Sequence, residues 1–526
     1  MTSRQLMTVM MVAACTVLMT WAAHAAVENL LPDPGFEAVG DDGQLASWML
    51  TAGEPGALNV AADETEVHSG ARAAHITAAP KDDRNYARLR SDHVRPVWGA
   101  RYRGSVWLKG TGAAKVGITQ QFRIRRSGDQ EFADTWSEPV TLTDDWQQLT
   151  VEESLLADRE VARVWLSVEV EGDGAEAYAD DGSLVISRQV TVTPPYAMVR
   201  EGDSFEFQVA LAEEGEPVTQ GALTVVTRNG EDTSQAELPL AGATTAYAFT
   251  APATPEQRVF RLDFQNDELR VRQPVFLHVV DAETYAKFEQ AAANTKLATP
   301  AHLLMIGDSL SDVDRAHNWT DVVAFWLWKT HDGQVTYRNA GVGGDFITRT
   351  WGRLEGEDNA YRLYMYDDLY DPMPTQVLIF LGHNDSKLSP KPEYKSPDDY
   401  TDPVVSYENW DKYMRMAIEK FKADTGAQVI VMSNTSSVYE VCAERVIKNI
   451  AAGKSGGSLF GKPEVMERFN AIARQFAAEE GARFVDVYTP TFEHPDKPSL
   501  FYPDGVHINQ EGNWLVAQVV LESFQE

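Results

Sequence analysis

Residues 302–312 read His302-Leu303-Leu304-Met305-Ile306-Gly307-Asp308-Ser309-Leu310-Ser311-Asp312. A short apolar run bounded by glycine fits a buried strand, and the helical pattern after it makes this the first strand of an alternating α/β unit. A strand that breaks at glycine holds a serine hydroxyl at the C-terminal edge of a sheet, where α/β folds place their sites. Ser309 is therefore a candidate nucleophile. The tripeptide alone carries little, because Gly202-Asp203-Ser204 repeats it in a polar turn that feeds the alternating strand Phe205 to Leu211.

Downstream, apolar runs at Val335 to Arg338, Gln376 to Leu381, Gln428 to Met432 and Arg483 to Val487 alternate with helical patterns at Trp319 to Lys329, Tyr407 to Lys422, Pro463 to Glu479 and Glu511 to Phe524. This pattern predicts a parallel sheet covered by helices on both faces. Asn339-Ala340-Gly341-Val342-Gly343-Gly344-Asp345 follows the second strand, Gly382-His383-Asn384-Asp385 the third, and Asp504-Gly505-Val506-His507 precedes the last helix. A serine hydroxyl needs a base to become a nucleophile at neutral pH, and His507 has the ring for it. Asp504, three residues earlier, can reach the other imidazole nitrogen and fix its tautomer.

In this order and context the four blocks resemble the SGNH, or GDSL, hydrolase family over residues 300–526. The resemblance implies a flavodoxin-like α/β fold, a Ser309–His507–Asp504 triad, and an oxyanion hole built from the N–H groups of Ser309 and Gly344 and the Asn384 amide. Gly344 directly precedes Asp345, as in the family's Gly-Asp pattern, with Gly341 and Gly343 as the alternatives. His383 and His317 come with no His-Glu-x-x-His motif or cysteine cluster, and the chemistry requires no metal. Trp319 and Trp351 lie close to the blocks and are candidates to line a substrate site, whereas the helical spacing of Trp326 places it in the core.

The 526-residue chain is long enough for several domains. Its first 25 residues, with Arg4, an apolar run and Ala23-His24-Ala25, read as a signal peptide, so a secreted or periplasmic protein is expected. Val12-Ala13-Ala14-Cys15 resembles a lipoprotein box, and an anchor through Cys15 is the alternative. Past the leader Cys442 is the one cysteine, which excludes an intramolecular disulfide. No later stretch has the length of a membrane span. The net charge of −32 disfavours nucleic acid and anionic membranes as partners.

Short alternating runs punctuated by Gly, Asp and Pro predict a β-sandwich over residues 26–188. Its ends, Asn29-Leu30-Leu31-Pro32-Asp33-Pro34-Gly35-Phe36-Glu37 and Ala177-Tyr178-Ala179-Asp180-Asp181, resemble those of jelly-roll carbohydrate-binding modules. In that family a structural calcium joins the first and last strands, which would place Glu37 and Asp181 among its ligands. Trp48, Trp98, Trp107, Trp136, Trp146 and Trp165 fall in this domain, and aromatics in strands are more often core than sugar platforms. A second, immunoglobulin-like sandwich is expected at 189–281, without catalytic groups and so read as a spacer, then a helical linker at 282–299. The expected protein is a secreted serine esterase that removes acetyl or other short acyl groups from a polysaccharide, with no cofactor for catalysis. A lipase, thioesterase or O-acyltransferase is the alternative, although residues 387–403 are polar and proline-rich rather than an apolar lid. An inactive glycan-binding protein is the third reading.

Overall fold

The computed structural model describes residues 27–525, apart from 53–59, 82–83, 123–130, 156–160, 256, 313–317 and 358–361. The expected leader with Cys15, and His317, lie outside the described residues. A β-rich region is followed by an α/β domain. Among the described residues no helix is long and apolar enough to cross a membrane.

Two sheets enclose the first core. One runs Trp48–Ala52, Arg84–Ser91, Val161–Glu171, Ala113–Phe122, Phe132–Trp136, and the other contains Gln147–Ser154, Ala100–Gly110, Glu176–Thr193 and Ser204–Glu213. Strand alternation sorts their side chains: Val106 and Leu108 are fully buried with Leu89, Ile118 and Leu166, while Trp107 and Lys109 take the opposite face. The expected boundary at 188/189 falls inside the 18-residue strand Glu176–Thr193. Residues from Ala177 to Gln189 pair with Ala100–Gly110, and Arg188 to Thr193 pair with Ser204–Glu213. One continuous ladder thus joins the two β regions.

The second β region adds a five-stranded sheet in the order Tyr196–Arg200, Val271–Val280, Val259–Asn266, Ala222–Asn229, Asp232–Pro239. Gly202 turns with φ 78°, and Ser204 opens the strand Ser204–Glu213 of the β-rich region, not the parallel sheet that carries the catalytic blocks. The core of this region, with Phe207, Leu262 and Phe264, runs without a break into that of the α/β domain. Tyr196 and Phe205 meet Phe325 edge-on at 6.1 and 5.7 Å.

Helix Ala282–Ala293 starts where the Asp281 carboxylate accepts the Thr284 N–H at 2.8 Å. Its Phe288 stacks on Trp326, so it belongs to the helical layer of the α/β domain. The parallel sheet runs Val335–Asn339, Ala301–Gly307, Gln376–Phe380, Gln428–Met432, Arg483–Val485, the second, first, third, fourth and fifth of its strands in chain order. Both faces are buried. Leu303, Met305, Leu378 and Phe380 share a core with helices Trp319–Thr330 and Gln510–Ser523; Leu304, Ile306, Val377 and Ile379 share another with Tyr407–Thr425 and Pro463–Glu479.

Because Phe325 plugs the seam between the second β region and the α/β domain, Phe325→Ala should cost about 3–5 kcal/mol. Urea unfolding of the full chain measures this; a loss below about 1 kcal/mol, the scale of a conservative core swap, would show the seam to be loosely packed.

Candidate active site

The first strand delivers Ser309 to the sheet edge through a tight turn. Ser311 and Asp312 donate their N–H groups to the Asp308 carbonyl, both at 3.0 Å, and Leu310 donates its own to the Asp308 carboxylate at 3.0 Å. A side chain at Gly307 would meet Ser311 Cβ at 2.8 Å, which is why glycine precedes the turn. Ser309 Oγ lies 3.1 Å from His507 Nε2, and His507 Nδ1 lies 2.6 Å from Asp504 Oδ2. The other Asp504 oxygen accepts the N–H groups of Val506 and His507 at 2.9 and 3.0 Å, which fixes the carboxylate beneath the ring. Arg445 clamps the Asp504 carbonyl at 3.1 Å. Burial by itself raises the Asp504 carboxyl, but the His507 ring and the two N–H groups outweigh it and hold the acid below the usual carboxylate range.

The glycine loop after the second strand separates its alternatives by where each N–H goes. Gly341 donates to Asn339 Oδ1 at 2.9 Å and Gly343 to Asp312 Oδ2 at 2.5 Å. Ala340, Val342 and Asp345 donate to the carbonyls of Met305, Gly307 and Val342. Gly344 has φ 79°, and among the described residues no acceptor meets its N–H. Asn384 sits in the single turn His383–Ser386, where its Nδ2 donates to Asp308 Oδ2 at 3.2 Å and its Oδ1 accepts from Lys387 Nζ at 3.1 Å. A carboxylate on one side and an ammonium on the other leave a single sensible orientation for the amide, with one N–H unspent.

Sequence reasoning missed the floor of this site. Asp308, Asp345 and Asp385, one from each of the first three blocks, are fully buried together. Burial pushes the Asp308 carboxyl up to about 7, and it raises Asp345 and Asp385 as well. Arg353 pairs with Asp345, Thr350 Oγ1 donates to it at 2.6 Å, and the Ile347 N–H donates to Asp385 at 2.8 Å. The available signal was an aspartate recurring beside the functional residue at each strand end.

Other expected residues lie elsewhere. Trp319 is fully buried beneath the nucleophile turn, with its indole N–H on Ser311 Oγ at 3.3 Å. Trp351 packs against Tyr413 on the far side of the sheet. Neither lines the cavity, about 520 Å3, that opens at Ser309 and His507. His383 is buried against Phe460, 3.3 Å from Ser437 Oγ, and burial pushes its ring down to about 3. Glu37 and Asp181 face the same loop but act as hydrogen-bond acceptors: Glu37 takes the Ala71 N–H at 2.7 Å, and Asp181 meets His68 Nδ1 at 2.6 Å and Ser69 Oγ at 2.7 Å. The Glu37 carbonyl accepts from the Arg72 guanidinium at 2.9 Å.

A serine hydroxyl on an imidazole that is itself held by a carboxylate, beside unspent N–H donors, can carry acyl transfer. Residues 305–515, within the α/β domain, match the family model of the GDSL-like lipase/acylhydrolases. Among solved structures, the chain is similar to the lipase/acylhydrolase from Enterococcus faecalis, at 15% identity over 43% of this chain and 95% of that one with a TM-score of 0.30. It is also similar to a GDSL-like lipase from Parabacteroides merdae, at 18% identity over 44% and 98% with a TM-score of 0.31. A third is the CBM22-1 xylan-binding domain of Paenibacillus barcinonensis Xyn10C, at 17% identity over 31% and 97% with a TM-score of 0.23. No curated protein matches the chain.

Asp308→Asn replaces one of two acceptor oxygens with a donor, so either the Leu310 turn or the Asn384 amide loses its anchor. Steady-state kinetics on a chromogenic acetate ester should show kcat falling on the order of 100-fold with KM little changed; an unchanged kcat would contradict this role. The raised Asp308 pKa also has a sign: unfolded aspartate titrates near 4, so the folded protein holds this proton more tightly and loses stability as pH rises from about 4 to about 7. The urea midpoint should be lower at pH 7.5 than at pH 5, and the difference should shrink in Asp308→Asn.

Proposed function

We propose that the protein is an exported serine esterase that removes acetyl or similar short acyl groups from a polysaccharide. The hydrogen-bonded series Ser309, His507, Asp504 is the observation that carries the esterase part. Ser309 Oγ attacks the acyl carbon while His507 Nε2 takes its proton, and Asp504 stabilises the resulting imidazolium. The oxyanion of the tetrahedral intermediate receives the N–H groups of Ser309, Gly344 and Asn384. His507 then protonates the sugar oxygen as its bond to the acyl carbon breaks, which frees the sugar hydroxyl, and a water activated by the same ring releases the acid from Ser309.

The glycan part draws support from the outer face of the first β region. Trp107, Lys109 and Tyr178 share that face, opposite the buried Val106, Leu108, Ala177 and Ala179. His68 stacks on Trp107 at 4.2 Å and meets Trp146 edge-on at 5.4 Å, His75 stacks on Tyr178 at 4.7 Å, and Lys109 Nζ lies 5.4 Å from the Trp146 ring and 5.7 Å from that of Tyr178. A row of half-exposed rings interleaved with hydrogen-bonding groups suits the apolar faces and hydroxyls of sugars. Trp48, by contrast, is core, stacked on Phe36 at 4.3 Å.

The test is acetate release from a panel of acetylated xylan, mannan, pectin and xyloglucan, with nitrophenyl esters of increasing chain length alongside. Wild type should release acetate and favour the shortest ester, and Ser309→Ala should lose activity by at least 10,000-fold, the scale of a missing nucleophile. A preference for long chains would point to a lipid esterase and sink the polysaccharide reading. Separately, Trp107→Ala should weaken retention on the hydrolysed polysaccharide in affinity electrophoresis while leaving nitrophenyl acetate turnover at the wild-type rate; retention equal to wild type would remove the platform from the account.

A further inference from the structure

The wall of the active-site cavity opposite Ser309 comes from the second β region. Along Val271–Val280, Val275, Leu277 and Val279 are fully buried in the sandwich, so Phe276 and His278 take the outer face. In register, Val259 lies opposite His278, and Arg261 opposite Phe276. The Tyr196 hydroxyl meets His278 Nδ1 at 2.7 Å, and Trp514 of the last helix meets its ring edge-on, which pins this face to the α/β domain. Val259, Phe276 and His278 then line the same cavity as Ser309 and His507.

The same face continues outward as a basic strip. Arg261 lies over the Phe276 ring at 5.7 Å, and Arg228 lies opposite Arg261 on the next strand, so Phe276 to Arg228 spans two strand spacings, about 10 Å. Arg228, Arg261 and Arg272 converge on the single buried carboxylate of Asp263, at 3.2, 2.9 and 3.0 Å. Burial would raise that acid, yet the guanidiniums hold it below its usual range, so it stays ionised. One negative charge cannot balance three positive ones, and the surplus sits on a chain of net charge −32. The side chains of Arg228, Arg261 and Arg272 remain 45%, 26% and 32% exposed. The neighbouring strand adds neutral groups near Arg228, with Thr233 opposite Arg228 and Gln235 opposite Val226, and one carboxylate, Glu237, at the outer end of the row that starts at Arg272.

We propose that this face extends the substrate site: Val259 and Phe276 pack against the sugar beside the acylated one, and Arg228, Arg261 and Arg272 take carboxylate or sulfate groups of an anionic polysaccharide. The proposal rests on the esterase reading and narrows its substrate class. Planar guanidiniums suit bidentate contact with either anion. A strip of this kind also counters the repulsion that an acidic enzyme would otherwise exert on such a polymer.

Binding is measured by calorimetry on the full chain carrying Ser309→Ala, with polygalacturonate, a sulfated galactan and neutral galactomannan as probes, at low salt and at 0.3 M salt. One anionic polymer should bind at least tenfold tighter than galactomannan at low salt, with the advantage shrinking at high salt, and the better of the two identifies carboxylate or sulfate as the group read. Arg228→Gln should remove five- to tenfold of that advantage, Arg228→Lys should retain most of it, and Phe276→Ala should weaken all three probes. Equal affinity for charged and neutral polymers, or anionic binding by Arg228→Gln equal to wild type, would overturn the proposal. Failure of the unsubstituted chain to hydrolyse any ester would instead overturn the esterase reading, independently of these affinities.

Discussion

Parallel pairing of the strand Ala301–Gly307 with Val335–Asn339 on one side and Gln376–Phe380 on the other is the constraint on which the site depends. Parallel strands end at the same edge, so the loops that follow them are neighbours even though 30 to 80 residues of chain separate them. Each loop then contributes one kind of group: the hydroxyl of Ser309, the unspent N–H of Gly344, the amide of Asn384. The buried Asp308 carboxyl ties the first loop to the third through Asn384. Shift either neighbouring strand by one residue and that strand's side chains turn to the other face, which carries its loop out of register with Ser309.

The floor of three buried aspartates costs stability, since each carboxyl is removed from water with at most one nearby cation. Arg353 serves Asp345, while Asp385 keeps one oxygen without a partner. Such a cluster is tolerable where it fixes geometry that a packed apolar floor could not, here the direction of the Asn384 amide. The second β region plays a comparable part in the cavity: its core is continuous with that of the α/β domain, and its Val259, Phe276 and His278 line the cavity with Ser309.

Much of the site was legible in the chain because its chemistry is local. Gly-Asp-Ser at a strand end, Asp-x-x-His before the last helix and Gly-x-Asn-Asp each announce a turn, and periodicity separated Ser309 from its copy at Ser204. Three things were not legible. Which of three glycines offers a free N–H depends on Asn339 and Asp312 claiming the other two, a tertiary fact. Trp319 looked like a substrate wall because it neighbours the nucleophile in sequence, but the helix it opens turns it inward onto Ser311. The role of Phe276 was hidden because a half-buried strand reads the same whether its outer face meets solvent, a neighbouring domain or a cavity.

The central claim is that Ser309 becomes acylated with His507 as its base. Rapid quenching during turnover of a chromogenic acetate ester, followed by peptide mass spectrometry, tests it most directly. The account predicts an acetyl group on Ser309 and none on the Ser309→Ala chain. Acetyl on Ser204, or undiminished turnover with Ser309 never modified, would contradict it.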